Sequence, residues 1–215
     1  MKSLLLLPLA FFSLMSCAQQ SSESKALDKP SQETLDSLQT AYFASGCFWC
    51  VEAIFESVEG VEEAVSGYAG GEKPNPTYRI VSSGNSKHAE TVEVYYDSSK
   101  VSFETLVEVF FNSHDPSTKN AQGPDYGPQY RSIAFYQNDE EAAIIRKKIE
   151  EYREAETFSR ITTEVKELDV FYKAEEYHQD YERLNPNQGY IRSVSVPRLN
   201  KFKKKMPWVL KDEEH

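Results

Sequence analysis

The chain has 215 residues, which is enough for one domain with a substantial buried core and short appendages. Its formal net charge of −10 argues against a nucleic-acid partner, because phosphate binding needs clustered Lys and Arg. The basic cluster within residues 201–205 is more typical of a solvated tail than of a binding patch.

The amino end has the pattern of an export signal. Lys2 gives a positive start, and the apolar run over residues 4–14 is too short for a comfortable transmembrane span. Residues 14–17 also resemble a bacterial lipobox, in which a cysteine after a small residue is lipidated and becomes the new first residue. We therefore predict a signal peptide over residues 1–16 and an exported lipoprotein of the bacterial cell envelope. Ordinary cleavage, with Cys17 left as a free thiol, is the alternative.

Residues 18–40 are rich in Ser, Gln, Glu, Lys and Asp and contain little that could be buried, as is typical of a flexible tether. We predict a lipidated linker over residues 17–40, a catalytic domain over residues 41–205 and a tail over residues 206–215. Lipid at Cys17 would make the membrane a partner of the protein. The other two cysteines would then remain as a redox pair.

That pair, Cys47 and Cys50, stands where a strand-like run meets a helix. From Val51 onward apolar residues recur at helical spacing while glutamates fill the opposite face, which predicts an amphipathic helix. Cys47 then lies in or just before the first turn, where unpaired N–H groups and the helix dipole favour a thiolate. We expect Cys47 to be the more acidic thiol, with Gly46 providing the tight turn before it.

A Cys-x-x-Cys pair has other interpretations. It can be half of a metal site, or two structural thiols. No second pair and no Cys-His cluster follows in the sequence to complete four ligands, so a zinc site is disfavoured.

Residues 89–96 predict a strand in which Glu90 shares one face with Val92 and Val94. Burial of a carboxylate on that apolar face disfavours its charged form, so the group can hold a proton near neutral pH. The alternative is fraying at the start of the strand, which would leave Glu90 in solvent. The residues alone leave both interpretations open.

The other elements complete an α+β pattern. Before the Glu90 strand come a strand within residues 60–71 and a short helical turn over residues 77–83, which puts Tyr78 at a loop–helix junction. The later predicted elements are, in order, a helix capped by Ser102, a long loop over residues 114–129, a strand over 131–136, a helix over 139–155, a strand over 161–168 and a helix over 174–184. In the last helix, a structural role for His178 and Asp180 is favoured over acid–base catalysis.

Several motifs resemble those of the A-type peptide methionine sulfoxide reductases, over roughly residues 41–205. The central one is Gly-Cys-Phe-Trp at residues 46–49. The others, in the order of the family, are Gly-Tyr-Ala-Gly-Gly at 67–71, Asn-Pro-Thr-Tyr at 75–78, Ser-Gly at 83–84, His-Ala-Glu at 88–90, His-Asp-Pro at 114–116, Gln-Gly-Pro-Asp-Tyr-Gly-Pro-Gln-Tyr-Arg-Ser at 122–132 and Tyr-His-Gln-Asp-Tyr at 177–181. So many independent motifs in one order argue against coincidence.

The resemblance implies a two-layer α+β sandwich around a mixed sheet, with flanking helices, long loops and a ferredoxin-like arrangement. It implies an enzyme that reduces the S epimer of methionine sulfoxide, free or in oxidised proteins, to methionine, and so repairs oxidative damage. No metal and no organic cofactor is implied, and a monomer is expected.

The same resemblance assigns roles to single residues. Cys47 is the nucleophile that attacks the sulfoxide sulfur, and Glu90 is the general acid that protonates the oxygen. The remaining assignments are Tyr78 and Tyr130 as partners of that oxygen, Phe48 and Trp49 as the apolar pocket for the methyl group, and Asp125 as a contact to the substrate backbone.

The chain departs from the family pattern at three positions. Pro124 and Pro128 stand where other residues are expected, and Ile191 follows Gly-Tyr where many members carry a further cysteine. The recycling thiol must therefore be Cys50, regenerated by a thioredoxin-like reductant. Two alternative functions also fit the residues: a Cys-x-x-Cys thiol–disulfide oxidoreductase and a lipid-anchored binding module.

Overall fold

A computed structural model describes residues 29–212, and within this range the chain forms a six-stranded mixed sheet with a separate two-stranded hairpin. The strand order in the main sheet is β7-β6-β1-β3-β2-β8, and all neighbours are antiparallel except β6 and β7. The strands are β1 (Gln39–Ser45), β2 (Val61–Ala69), β3 (Ala89–Tyr96), β4 (Ala121–Gln122), β5 (Asp125–Tyr126), β6 (Ser132–Tyr136), β7 (Glu164–Glu167) and β8 (Phe171–Lys173). Strands β4 and β5 form the hairpin.

Seven α-helices and several short turns accompany the strands in the described part of the chain. The α-helices are α1 (Gln32–Asp36), α2 (Phe48–Glu56), α3 (Tyr78–Ser82), α4 (Phe103–Ser113), α5 (Asp139–Glu154), α6 (Tyr181–Leu184) and α7 (Val196–Lys205). Helix α4 begins as predicted, since the Ser102 hydroxyl accepts a hydrogen bond of 3.1 Å from the backbone N–H of Thr105.

The main core lies between the central strands and helices α2, α4, α5 and α7. Phe43 of β1 stacks on Phe55 of α2 with ring centroids 5.1 Å apart and on Phe110 of α4 at 5.2 Å. A smaller cluster that includes Tyr42 and Phe135 covers the other face of the sheet. The α+β class and the layering of helices on a mixed sheet are therefore confirmed.

The predicted helix over residues 174–184 is wrong. The segment instead forms a 3₁₀ turn (Glu176–His178) and the short helix α6, with Asp180 between them in the left-handed conformation at φ +55°. The apolar spacing on both sides of Asp180 is helical, so the sequence gives no sign of a break there. An aspartate adopts the left-handed conformation more readily than most side chains.

The folded region extends beyond the predicted boundaries at residues 41 and 205. Within the predicted linker, residues 32–36 form α1 and β1 already begins at Gln39. The lysines that were predicted to be a solvated tail belong to α7, which buries Phe202, and Met206 and Val209 are buried beyond it. The predicted signal peptide and Cys17 lie outside the described residues. Among residues 29–212, no helix has the length and hydropathy needed to cross a membrane.

Candidate active site

The turn between β1 and α2 presents Cys47 at the amino end of the helix. Gly46 has φ +96°, and a Cβ atom on it would lie 2.7 Å from Cβ of Gln122, so the turn requires glycine for its conformation and for space. Cys47 is the N-cap residue of α2, in agreement with the prediction. Both cysteines are buried and carry free thiols.

Glu90 lies on β3 with only 2% of its surface exposed, so the prediction that it faces inward is confirmed and fraying is excluded. Its Oε2 accepts a hydrogen bond of 3.1 Å from the backbone N–H of Phe48, the first residue of α2. Burial raises the pKa of Glu90 to about 8, even though the hydrogen bond from Phe48 opposes this shift. The carboxyl group therefore holds its proton at neutral pH.

Tyr78 and Tyr130, from two different segments, both lie near enough to Glu90 to feel its charge. Burial raises the pKa of Tyr78 to about 12, and the charges of Glu90 and Cys47 act in the same direction. Burial, together with the charge of Glu90, also raises the pKa of Tyr130 above its usual range. Both phenols thus keep their protons and are available as hydrogen-bond donors beside Glu90.

Phe48 and Trp49 form an aromatic wall around the cysteine turn. Phe48 is fully buried, with its ring centroid 5.0 Å from that of His178 and 6.3 Å from that of Tyr78. Trp49 stacks on Tyr181 at 3.8 Å, and its Nε1 donates a hydrogen bond of 3.2 Å to Nδ1 of His178. His178 therefore has a supporting role under the aromatic wall, consistent with the structural interpretation.

Burial acts against the expected acidity of Cys47. Burial raises the pKa of Cys47 well above its usual range, and a hydrogen bond with Cys50 and the charge of Glu90 add to this. Hydrogen bonding from Cys47 lowers the pKa of Cys50, and the positive charge of Arg198 contributes as well. The helix N-terminus favours a thiolate at Cys47, but burial beside a carboxyl group outweighs this effect.

The site therefore combines two buried thiols, a protonated buried carboxyl group, two protonated phenols and an apolar wall. Comparison with known proteins identifies the family of the chain. Residues 39–209 match the profile of the peptide methionine sulfoxide reductase family. The chain belongs to this family.

Individual relatives support the assignment along most of the chain. The peptide methionine sulfoxide reductase of Rhodopirellula baltica is 51% identical over 164 residues, which are 76% of this chain and 85% of the relative. The enzyme of Natronomonas pharaonis is 50% identical over 161 residues, 74% of this chain and 90% of the relative. This chain is thus a methionine sulfoxide reductase, as the sequence motifs predicted.

Solved structures of this family share the fold. Mxr1 from Saccharomyces cerevisiae in its reduced form matches with a TM-score of 0.66 at 35% identity, over 70% of this chain and 87% of that one. Methionine sulfoxide reductase A of Corynebacterium diphtheriae matches with a TM-score of 0.63 at 36% identity, over 70% of this chain and 76% of that one.

Sequence reasoning missed Tyr190 as a site residue of this reductase. Its hydroxyl donates a hydrogen bond of 2.5 Å to Oδ2 of Asp125 and lies 3.9 Å from Sγ of Cys50. Tyr190 therefore joins Cys50 to the residue predicted to bind the substrate backbone. The tyrosine of Gly-Tyr-Ile at residues 189–191 is the sequence signal for this role.

Arg198 was also missed, and the sequence has no local signal for it. Its Nε donates a hydrogen bond of 2.8 Å to the carbonyl of Ser113, and its Nη2 donates one of 2.9 Å to the carbonyl of Ser45. The side chain thus fixes the end of β1, immediately before Gly46 and Cys47, and places a positive charge near Cys50. The link depends on the packing of α7 against α2 and α4.

Glu175 is a third residue that supports the site of this reductase. Its Oε1 accepts a hydrogen bond of 3.0 Å from the backbone N–H of Tyr78, and its Oε2 accepts one of 2.8 Å from the hydroxyl of Tyr68. Glu175 therefore holds the first turn of α3, where Tyr78 begins the helix, against β2.

One group of carboxylates in the described residues has the spacing of metal ligands: Glu52, Glu56 and Asp180, with one oxygen of each within 4.8 Å of the others. Protein donors already bind Glu52 and Asp180. Glu52 accepts hydrogen bonds from the hydroxyl of Ser66 and the backbone N–H of Asp180. Asp180 pairs with Lys29 at 2.6 Å and also with Arg183. The cluster therefore has an evident structural role between α2 and the turn before α6.

Proposed function

We propose that this reductase converts the S epimer of methionine sulfoxide, in oxidised proteins and as the free amino acid, to methionine. The observation that carries the proposal is the buried, protonated carboxyl group of Glu90 at the amino end of the helix that Cys47 caps. A sulfoxide oxygen leaves readily only after protonation, and a carboxyl group with a pKa near the working pH is suited to supply that proton.

In the first step, the sulfur of Cys47 attacks the sulfoxide sulfur while Glu90 gives its proton to the oxygen. The proton of Cys47 passes to Cys50, which is ionised and can accept it because its pKa is lowered to about 6. Cys50 is the weaker base of the two, so formation of the bond to the substrate sulfur drives this transfer. Tyr78 and Tyr130 hydrogen bond to the oxygen, Phe48 and Trp49 surround the methyl group, and Asp125 binds the substrate backbone. Methionine leaves, and the oxygen stays on Cys47 as a sulfenic acid. Sulfur of the substrate is reduced by two electrons and sulfur of Cys47 is oxidised by two.

In the second step, Cys50 attacks the sulfenic acid of Cys47. A disulfide forms, and the hydroxyl group leaves as water after taking up the proton of Cys50. A dithiol protein of the thioredoxin type then reduces the disulfide by thiol–disulfide exchange and is itself oxidised. Support for this role of Cys50 comes from its burial as a free thiol three residues after Cys47 and from Ile191 at the position where many family members have a further cysteine.

The test is reduction of each sulfoxide epimer separately, with dithiothreitol as the reductant. We expect stoichiometric conversion of the S epimer to methionine and no conversion of the R epimer. Conversion of neither epimer, or of the R epimer alone, would contradict the proposal. The Cys47→Ser variant is the control for reduction by dithiothreitol without the enzyme.

The protein is further proposed to be a lipoprotein of the bacterial cell envelope, anchored through Cys17. Support comes from the positive and apolar start of the chain and from the lipobox-like residues 14–17. The intact mass of protein from the membrane fraction should include acyl groups on Cys17. Soluble, unmodified protein that begins at another residue would contradict this assignment.

A further inference from the structure

A cavity of about 580 Å³ lies directly beside the active site and has no role in the steps above. Its walls come from the end of α4, the hairpin of β4 and β5, and one face of α7. Asp125 and Tyr190 line this cavity as well as the active site. A polypeptide whose sulfoxide side chain is bound next to Asp125 would therefore continue into the cavity.

Three cationic side chains and the carboxylates of Asp115 and Asp125 line the cavity, so its lining is net positive on a chain whose formal net charge is −10. Arg198, Lys201 and Lys205 line it, and their spacing of three and four residues puts them on one face of α7. Arg198 already donates to two backbone carbonyls. The ammonium group of Lys205 lies 5.8 Å from the ring centroid of Phe158, a contact that uses none of its hydrogen-bond donors. The N–H groups of the two lysines therefore remain for a ligand.

Among residues 29–212, neither Lys201 nor Lys205 forms a salt bridge. Lys201 lies close enough to Asp115 to help lower the pKa of that carboxyl group. Asp115, however, is already bound by the backbone N–H and hydroxyl of Ser117 at 2.9 and 2.6 Å. Burial and the neighbouring charge of Lys201 lower the pKa of Lys205, which indicates that the two ammonium groups repel one another. An anion between them would relieve this repulsion.

The rest of the lining is apolar enough for a side chain. Val194, Pro197 and the buried Phe202 line the cavity beside the lysines, and Pro124 lines it on the hairpin side. A glutamate or aspartate can place its methylene groups on such a surface and its carboxylate at the lysines. A small inorganic anion would contact only the lysines and leave the apolar part of the cavity lining unused.

We infer that this cavity is a subsite for an acidic side chain in the polypeptide that carries the methionine sulfoxide. The inference rests on the proposed function, because it takes the substrate to be bound at Asp125. The substrate is favoured over the reductant as the occupant because the cavity is continuous with the site at Asp125 and Tyr190. The enzyme would thus prefer methionine sulfoxides that have acidic residues near them in the polypeptide, although the enzyme itself has a net negative charge.

The experiment uses peptides with one central S-sulfoxide and three Glu, three Gln or three Lys residues on either its amino or its carboxyl side. Their KM and kcat are measured with dithiothreitol, and their Kd is measured on the Cys47→Ser variant, which does not turn over. Two ion pairs at a partly exposed site should lower KM and Kd about three- to tenfold for Glu over Gln on one side, with kcat nearly unchanged. Salt at about 0.5 M should remove most of this preference.

Charge reversal gives the decisive comparison. In Lys201→Glu with Lys205→Glu, the Lys peptides should become the better ligands. Lys204→Glu changes the same charge on an exposed side chain of α7 that does not line the cavity, and the preference for Glu should survive in it.

Equal Kd for the Glu and Gln peptides, or a preference that persists after charge reversal, would overturn the inference. It would also be overturned if charge reversal raised KM only for a thioredoxin-type reductant, since the cavity would then belong to the reductant. Failure of the proposed function would be visible separately, as no conversion of the Gln peptides, while the Kd measurements would still test the subsite.

Discussion

The backbone N–H of Phe48 donates a hydrogen bond of 3.1 Å to Oε2 of Glu90, and this contact joins the two halves of the active site. Phe48 follows Cys47 directly, so the contact ties the position of the nucleophile to the carboxyl group on β3. It uses one of the N–H groups at the start of α2 that have no partner within the helix. The contact would favour an ionised Glu90, but burial has the larger effect and keeps the group protonated.

Replacement of Glu90 by Gln should slow the reductive step about 10²- to 10⁴-fold, the usual range for a positioned general acid. Glutamine is of similar size and can still accept the hydrogen bond from Phe48, so the fold should be preserved. Single-turnover formation of methionine measures the step directly. A change of less than about threefold would assign the proton to another group. Glu93→Gln is the control for an unspecific effect of a Glu-to-Gln replacement on the same strand.

The reductive step should also lose rate at alkaline pH. Glu90 acts in its protonated form, and its pKa is raised to about 8, so the active form is present below this value and is lost as the pH rises through it. Single-turnover rates measured between about pH 6 and 10 should therefore fall above about pH 8, by tenfold per unit. In Glu90→Gln this fall should be absent. A wild-type rate that still rises above pH 9 would instead indicate that a free Cys47 thiolate limits the reaction.

The sequence predicted the parts of this site that depend on local pattern. The alternation of Glu90 with Val92 and Val94 placed the carboxyl group on the buried face, and the periodicity after Cys47 placed that residue at a helix start. The identity of the family and the individual roles came from the motifs. The extent and type of most elements up to β7 followed from the same patterns.

Features that depend on contacts between distant segments could not be predicted. Cys50 lies about 140 residues from Tyr190, and their contact exists only because α7 and the segment before it pack on α2. The acidity of Cys47 was predicted from the helix end alone, whereas burial beside Glu90 decides it. The break at Asp180 leaves no mark in a helical hydrophobic pattern.

Replacement of Arg198 by Gln should raise the pKa of Cys50, since the positive charge near the thiol is lost. The rate of alkylation of Cys50 by iodoacetamide, followed by mass spectrometry of the peptide that contains it, should shift to higher pH by about one unit. Arg198→Lys should retain part of the effect, because it keeps the charge but not the planar fork that binds both carbonyls.

Arg198→Gln should also lower the free energy of unfolding, because the carbonyls of Ser45 and Ser113 lose their donors. The expected cost is about 1–3 kcal/mol for each buried group left without a partner. Arg192→Gln removes a charge from an exposed position in the preceding π-helical segment. It should change neither the pKa of Cys50 nor the free energy of unfolding. An unchanged alkylation profile in Arg198→Gln would show that the charge has no effect on Cys50.

The two cysteines should separate into an attacking and a resolving thiol. Cys47→Ser should abolish the reaction with the sulfoxide, because no bond to the substrate sulfur can form. Cys50→Ser should still form about one equivalent of methionine per enzyme and then stop at the sulfenic acid of Cys47. It should lose turnover with a thioredoxin-type reductant and retain some turnover with a small thiol that attacks the sulfenic acid directly.

Rapid-quench measurement of methionine in the first turnover decides between these roles, and trapping of the sulfenic acid by dimedone identifies the oxidised residue. The first turnover of Cys50→Ser should be slower than that of the wild type, since Cys47 loses the thiolate that accepts its proton. Absence of the single equivalent in Cys50→Ser would place Cys50 in the attack on the substrate. Full turnover of this variant with the thioredoxin-type reductant would mean that the reductant resolves Cys47 itself and that Cys50 acts only as its proton acceptor.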